Sequence, residues 1–362
     1  MTVAQAVRRD ETAPAFRPAR GLGNAHLQSF LASTGPRRAL TSRRAHALQA
    51  AAVEELLDCG EGIRLHGVYS PHPRAERGLA ILIHGWHGSA DSAYLLSAAT
   101  YLFGRGFSVF RLHLRDHGPS HHLNRELFNS ARLPEVVAAV RRITALHPHG
   151  RTFLGGFSLG GNFALRETPE ERAPVRVQRG GFSLGGNFAL RVALAAPAAG
   201  IALDRVVAVC PVLDPARTME ALERSPVYHE YFRRKWRHAL LQKLLHFPDH
   251  GYGEELRQLR SLGAMNQFFV PRYTGFADTP SYLDAYAITG ERLAGLTMPS
   301  HIITSRDDPV IPAADLARLA RPPALTIELT ERGGHCGFIM DWRLHSWIDG
   351  RLDQLFHPGR LP

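Results

Sequence analysis

Apolar residues fall into short blocks that alternate between two periods along most of the chain. LAILIH (79–84) is an unbroken apolar run, which suits a strand buried on both faces of a parallel sheet. FSVFRLHL (107–114), TFLGGF (152–157), RVVAVCPV (205–212), SHIITS (300–305) and LTIELT (325–330) continue the strand series. Between them, SAYLLSAATYLFGRG (92–106) and LPEVVAAVRRITALH (133–147) carry apolar residues at helical spacing, and WRLHSWIDGRLDQLF closes the series as a helical tail. VEELLDC (53–59) and IRLHGVYS (63–70), separated by Gly60 and Gly62, predict a β-hairpin. Strands alternating with helices predict an α/β fold, a mostly parallel central sheet with helices on both faces.

Two segments break the alternation. Residues 1–50 are rich in Arg and Ala without a clear period, and read as an N-terminal arm laid over the main domain. The second break, 216–299, holds helix-rich stretches and the aromatic segment FVPRYTGFADTPSYLDAYA. It is too long for a plain connection and predicts a helical lid over the carboxyl ends of the strands. The core would then be built from 51–215 and 300–362.

Composition narrows the class. With 44% hydrophobic and 21% charged residues, the chain is not a disordered one. No apolar run approaches the roughly 20 residues that span a bilayer. The basic, polar N-terminus has no signal-peptide core, so the expected location is cytoplasmic. Cys59, Cys210 and Cys336 are odd in number and far apart, which excludes a disulfide framework. The net charge is +10, and all basic residues except Lys235 and Lys243 are arginine. That charge is spread rather than gathered in a tract, so nucleic acid is not an expected partner; peripheral contact with an anionic membrane surface stays open.

The segment GGFSLGGNFALR occurs at 155–166 and again, letter for letter, at 180–191. An identical two-copy repeat reads as a tandem duplication rather than a solenoid. Each copy carries G-x-S-x-G, around Ser158 and Ser183. This pattern between an apolar strand and a helix is a nucleophile elbow: the turn exposes the serine, and small neighbours let the backbones approach. The helix N-terminus then stabilises charge developing on a substrate oxygen.

The partners of such a serine follow in the order Ser, Asp, His. RDDPVIP (306–312) follows one strand and GGHCGF (333–338) the next. Asp308, just before the proline, is the expected acid, with Asp307 in a capping role. His335, flanked by glycines, is the expected base. HGWHGS (84–89) supplies half of an oxyanion hole through the Trp86 N–H, the other half coming from Leu159 or Leu184. His84 is expected to hold that loop by hydrogen bonding. RLHLRDHGPSHHLN (111–124) gathers His113, His117, His121, His122 and Asp116. Those residue types admit a metal, but a structural network beside the site is the favoured reading; neither metal nor cofactor is expected.

Together GNAHLQSF (23–30), HGWHGS, RDHGPSHHLN, GFSLGGN, CPVLDP (210–215), RDDPVIP and GGHCGF resemble the α/β-hydrolase superfamily, in particular its YheT-like subfamily of predicted esterases. The resemblance runs from about residue 15 to 355. It implies a serine hydrolase acting on carboxylic esters of short or medium acyl chains, or on lipid esters.

The duplication leaves two candidate nucleophiles. Ser158 follows an apolar strand, but its helix is cut short by Pro169 and a charged stretch. Ser183 keeps the full helix NFALRVALAA, but its own preceding segment, VRVQR (175–179), would be a costly buried strand. The sequence favours Ser158 and keeps both. A catalytically impaired binding protein, its elbow broken by the duplication, is the alternative function.

Overall fold

A computed structural model describes residues 15–32, 35–157 and 184–357. The hairpin forms from β1 (Val53–Asp58) and β2 (Arg64–Ser70), followed by β3 (Leu79–Ile83), β4 (Ser108–Leu112), β5 (Thr152–Phe157), β6 (Arg205–Val209), β7 (Ser300–Ser305) and β8 (Leu325–Thr330). They make one eight-stranded sheet in the order β1-β2-β4-β3-β5-β6-β7-β8. The pairs β1/β2 and β2/β4 are antiparallel, and all pairs from β4 through β3 to β8 are parallel.

The unbroken apolar runs are central strands. Every residue of β3, β4 and β5 is buried, and the period of two shows in where each side chain goes. Leu79, Ile81 and Ile83 enter one core layer with Val136, Val140, Phe188 and Val192. Ala80 and Leu82 enter the other with Leu95, Ala99, Leu352 and Phe356. The first layer is closed by α5 (Leu133–Leu146) and α6 (Leu184–Ala195), the second by α4 (Ala93–Gly104) and α12 (Trp347–Phe356). The helical tail is shorter than expected: Trp347 opens α12, and 342–346 is irregular.

The N-terminal arm is helical, with α1 (Ala25–Leu31), α2 (Gly35–Arg44) and α3 (His46–Ala50). The sequence reading found no period there because the helices are short and half exposed, so no long apolar stripe is needed. Asn24 caps α1, its side chain accepting from the Leu27 N–H at 2.9 Å.

Between β6 and β7 run α7 (Pro215–Arg224), α8 (Pro226–His246), α9 (Gly253–Gln258), α10 (Leu262–Tyr273) and α11 (Thr279–Ala285). Phe232 and Trp236 of α8 pack on Trp86, in the loop after β3. Lys243 of the same helix is buried and pairs with Asp116, in the loop after β4, at 2.8 Å. Hence α8 lies across the carboxyl ends of β3 and β4. No helix among the described residues is long and apolar enough to cross a membrane.

Candidate active site

Two loops at the carboxyl end of the sheet meet. The loop after β7 carries Asp308 and the loop after β8 carries His335. His335 Nδ1 lies 2.7 Å from Asp308 Oδ2 and 3.0 Å from Oδ1, and both side chains are fully buried. A carboxylate only accepts, so Nδ1 carries a proton and donates it to Asp308. Asp308 is itself fixed, Oδ1 accepting from the N–H groups of Val310 and Ile311 at 2.8 and 2.9 Å. Asp307 instead accepts from the Gly334 N–H at 2.9 Å, which anchors the histidine loop from outside.

That loop is tightly wound. Gly334 has φ +55° and Cys336 φ +53°; a Cβ on Gly334 would lie 2.2 Å from the Ala25 carbonyl oxygen of α1. Only glycine accepts both constraints at once. The arm supplies the counterpart: Ser29 Oγ accepts from the His335 N–H at 2.8 Å. Gln28 accepts from the Ile339 N–H at 2.7 Å and donates to the carbonyls of Leu22 and Ile339. Sequence reasoning missed both residues. They lie in GNAHLQSF, where only the resemblance marked them and no reactive side chain did.

A third side chain joins the pair. Ligand-type atoms of Cys210, Asp308 and His335 all lie within 4.8 Å of one another, the single such metal-capable group among the described residues. Burial pushes the Cys210 thiol well above its usual range, so it packs there uncharged.

The loop after β3 is built around His84. Its Nδ1–H donates to the Gly85 carbonyl at 2.6 Å and its Nε2 accepts from the Leu114 N–H at 3.1 Å. Burial lowers its pKa to about 3, so the ring stays neutral and ties the β3 loop to the β4 loop. His113 does the same from the other side, accepting from the Ala90 N–H at 2.9 Å. Trp86, in the same loop, lines a cavity of about 50 Å3 with Leu184, Val212, Met219, Leu222 and Tyr286. Trp86 and Leu184, the two oxyanion candidates within the described residues, therefore border one apolar space.

Ser158, Leu159 and Ser183 lie outside the described residues. What stands on either side of them is clear: β5 belongs to the first copy of the repeat and α6 to the second. They pack as one strand and helix. A Cβ on Gly185 would lie 2.5 Å from the Ile83 and His84 carbonyl oxygens and 2.8 Å from that of Phe157. Only glycines allow so close a crossing.

Comparison with known proteins agrees with this architecture. The profile of the Alpha/beta hydrolase family matches residues 80–341. The Escherichia coli protein named "Putative esterase YheT" is 24% identical over 349 residues, covering 93% of this chain and 91% of its own. A Synechocystis protein with the name "Putative esterase slr0264" is 23% identical over 325 residues, covering 83% and 85%. Among solved structures, a serine hydrolase of Cycloclasticus zankles superposes with a TM-score of 0.53 at 13% identity, covering 84% of this chain and 98% of its own.

Proposed function

The chain belongs to the Alpha/beta hydrolase family, and we propose from that premise that it hydrolyses carboxylic esters, of short to medium acyl chains or of lipids, through a serine nucleophile. The buried pair of His335 and Asp308 carries the proposal: the carboxylate engages Nδ1 and leaves Nε2 as the nitrogen that can serve as general base. In this reading Nε2 takes the serine proton as Oγ adds to the ester carbon. Asp308 steadies the imidazolium, and the N–H groups of Trp86 and of the residue after the nucleophile hold the oxyanion. The imidazolium then protonates the leaving alcohol. Water, deprotonated by the same Nε2, releases the acid from the acyl-serine.

Two observations bear on which serine acts. Ser158 directly continues β5, and Ser183 directly precedes Leu184, the first residue of α6. The second arrangement keeps the Leu184 N–H at a helix N-terminus beside Trp86, which supports Ser183 over the sequence preference for Ser158. In either case α7 to α11 serve as a lid over the site.

Labelling with a fluorophosphonate probe followed by peptide mapping tests the reading. Covalent modification of Ser158 or Ser183 is expected, and its loss in His335→Ala. A folded protein that takes no label would support the impaired binding protein instead.

A further inference from the structure

The loop between β8 and α12 and the N-terminal arm share one surface. Residues 339–346 close on themselves: Ile339 bridges Ser346, and the Met340 N–H donates to the His345 carbonyl at 2.9 Å. Inward, Ile339 and Leu344 pack on Leu22 of the arm. Outward, Trp342 is 63% exposed and Met340 37%. The tip is pinned to the arm: the Ala19 N–H donates to the Met340 carbonyl at 2.8 Å, and the Trp342 Nε1–H to the Arg20 carbonyl at 3.3 Å. The indole thus has its N–H satisfied and its carbon face in water, where apolar area is unfavourable.

Positive charge surrounds it. Between residues 12 and 53 the chain holds six arginines and no Asp or Glu, and of the six only Arg37 is buried. The fold adds two more from the far end of the chain. Arg44 Nη2 lies 3.5 Å from the Arg343 carbonyl oxygen, and a Cβ on Gly23 would lie 1.9 Å from Arg332 Nη1. Arginines that are scattered along the sequence are therefore gathered in space. The acids beside them are engaged: Asp341 by His345 at 2.8 Å, Glu331 by Arg306 at 3.0 Å, and the buried Asp349 by the Ser97 hydroxyl at 2.5 Å. The face keeps a net positive charge.

An exposed Trp and Met set among arginines match the chemistry of a bilayer interface. There an indole sits at the boundary between headgroups and acyl chains, and guanidinium groups meet anionic headgroups. A nucleic acid would supply phosphates for the arginines, but it has no apolar layer to receive Met340.

We propose that this arginine and tryptophan face docks on an anionic lipid bilayer, with Trp342 and Met340 entering the interface. The arm then links the docked face to the site, because α1 carries Ser29 at His335 and also His26, whose Nδ1 lies 3.0 Å from the Tyr228 hydroxyl of α8. Among carboxylic esters this favours those of lipids. That preference rests on the esterase reading; the docking does not.

Sedimentation of the full chain with sucrose-loaded vesicles tests the docking, using phosphatidylcholine alone and an equimolar phosphatidylcholine–phosphatidylglycerol mixture. The mixed vesicles should bind at least about tenfold more tightly, with the margin shrinking as salt rises. Arg43→Gln/Arg44→Gln/Arg343→Gln should weaken that binding on the order of a hundredfold, about fivefold per arginine. Lipid brominated in the acyl chains should quench the wild-type tryptophan fluorescence, and Trp342→Phe, which keeps Trp86, Trp236 and Trp347, should lose most of that quenching. Absent or equal binding to the two vesicles, an arginine variant that binds like the wild type, or quenching that survives Trp342→Phe overturns the proposal whatever the ester activity. Tighter binding to a single-stranded oligonucleotide than to the mixed vesicles at the same salt would assign the face to nucleic acid and overturn it too. Docking by a chain that turns over no ester would retain the surface and overturn the hydrolase reading.

Discussion

Gly156 of the first repeat copy faces Gly185 of the second so closely that a Cβ on Gly156 would lie 2.1 Å from the Gly185 carbonyl oxygen. The strand of one copy and the helix of the other have thus combined into a single strand-to-helix crossing.

The intervening 25-residue unit is therefore expected to be dispensable. Deleting 155–179 joins TFL to GGFSLGGNFALRVALAAP and connects β5 to α6 through one serine. Local pattern and global fold then agree. Calorimetry should show a higher melting temperature, by roughly 1–2 °C per kcal/mol gained for a chain of this size, with equal or greater p-nitrophenyl ester turnover. A drop in both would mean that the second copy has acquired its own role.

Replacing His335 with Ala should reduce ester turnover on the order of 10³–10⁶-fold while leaving the melting curve in place. Asp308→Asn should be similarly impaired, because the amide no longer fixes the Nδ1–H tautomer. Asp307→Asn retains an acceptor for the Gly334 N–H and should lose far less. The reverse ranking of the two aspartates would move the acid to Asp307.

Ser29→Ala leaves the buried His335 N–H without its acceptor. The expected cost is about 1–3 kcal/mol in urea unfolding, with kcat reduced and KM nearly unchanged, because the histidine shifts while the substrate spaces do not. An unchanged kcat would show that the loop holds itself.

Lys243→Met strands the buried Asp116 carboxylate and should destabilise the chain by about 3–5 kcal/mol. Adding Asp116→Asn should recover much of that loss. If the single variant unfolds at the wild-type denaturant concentration, the pair contributes nothing to holding α8 over the sheet.

Stability should fall as the solution is acidified below pH 6.5. His84 and His121, with pKa values of about 3 and 4 in the folded chain, are neutral there but take up protons once unfolded. The unfolded state then binds more protons, which costs about 1.4 kcal/mol per group per pH unit until the folded value is reached. Denaturant midpoints between pH 7 and pH 4 measure this, and His84→Gln should flatten the slope. A midpoint that holds constant to pH 4 would contradict neutral burial.

The sheet was legible because β3 is apolar at every position and β5 departs only at Thr152, which neither a surface strand nor a loop sustains. Which of two adjacent aspartates meets the imidazole was harder to read, since both reach the histidine loop, Asp308 at the His335 ring and Asp307 at the Gly334 N–H. Less readable was α1: Gln28 and Ser29 act through backbone groups more than 300 residues away, and no local period records such a contact. Cys210 was unreadable for the same reason. The repeat could not be resolved from sequence, because the apolar strand precedes the first copy's serine while the uninterrupted helix follows the second's.

The hydrogen bond from the His335 N–H to Ser29 ties α1 to the loop after β8, 306 residues apart. During synthesis both serines emerge from the ribosome long before the base, and the brace for that base waits folded or unfolded until the last strand is made. If the proposed roles hold, a nascent or truncated chain would carry the nucleophile without the means to activate it. Under the proposed mechanism, ester turnover is therefore expected only once the chain has been made through the loop after β8, and fragments that stop before it should be inert.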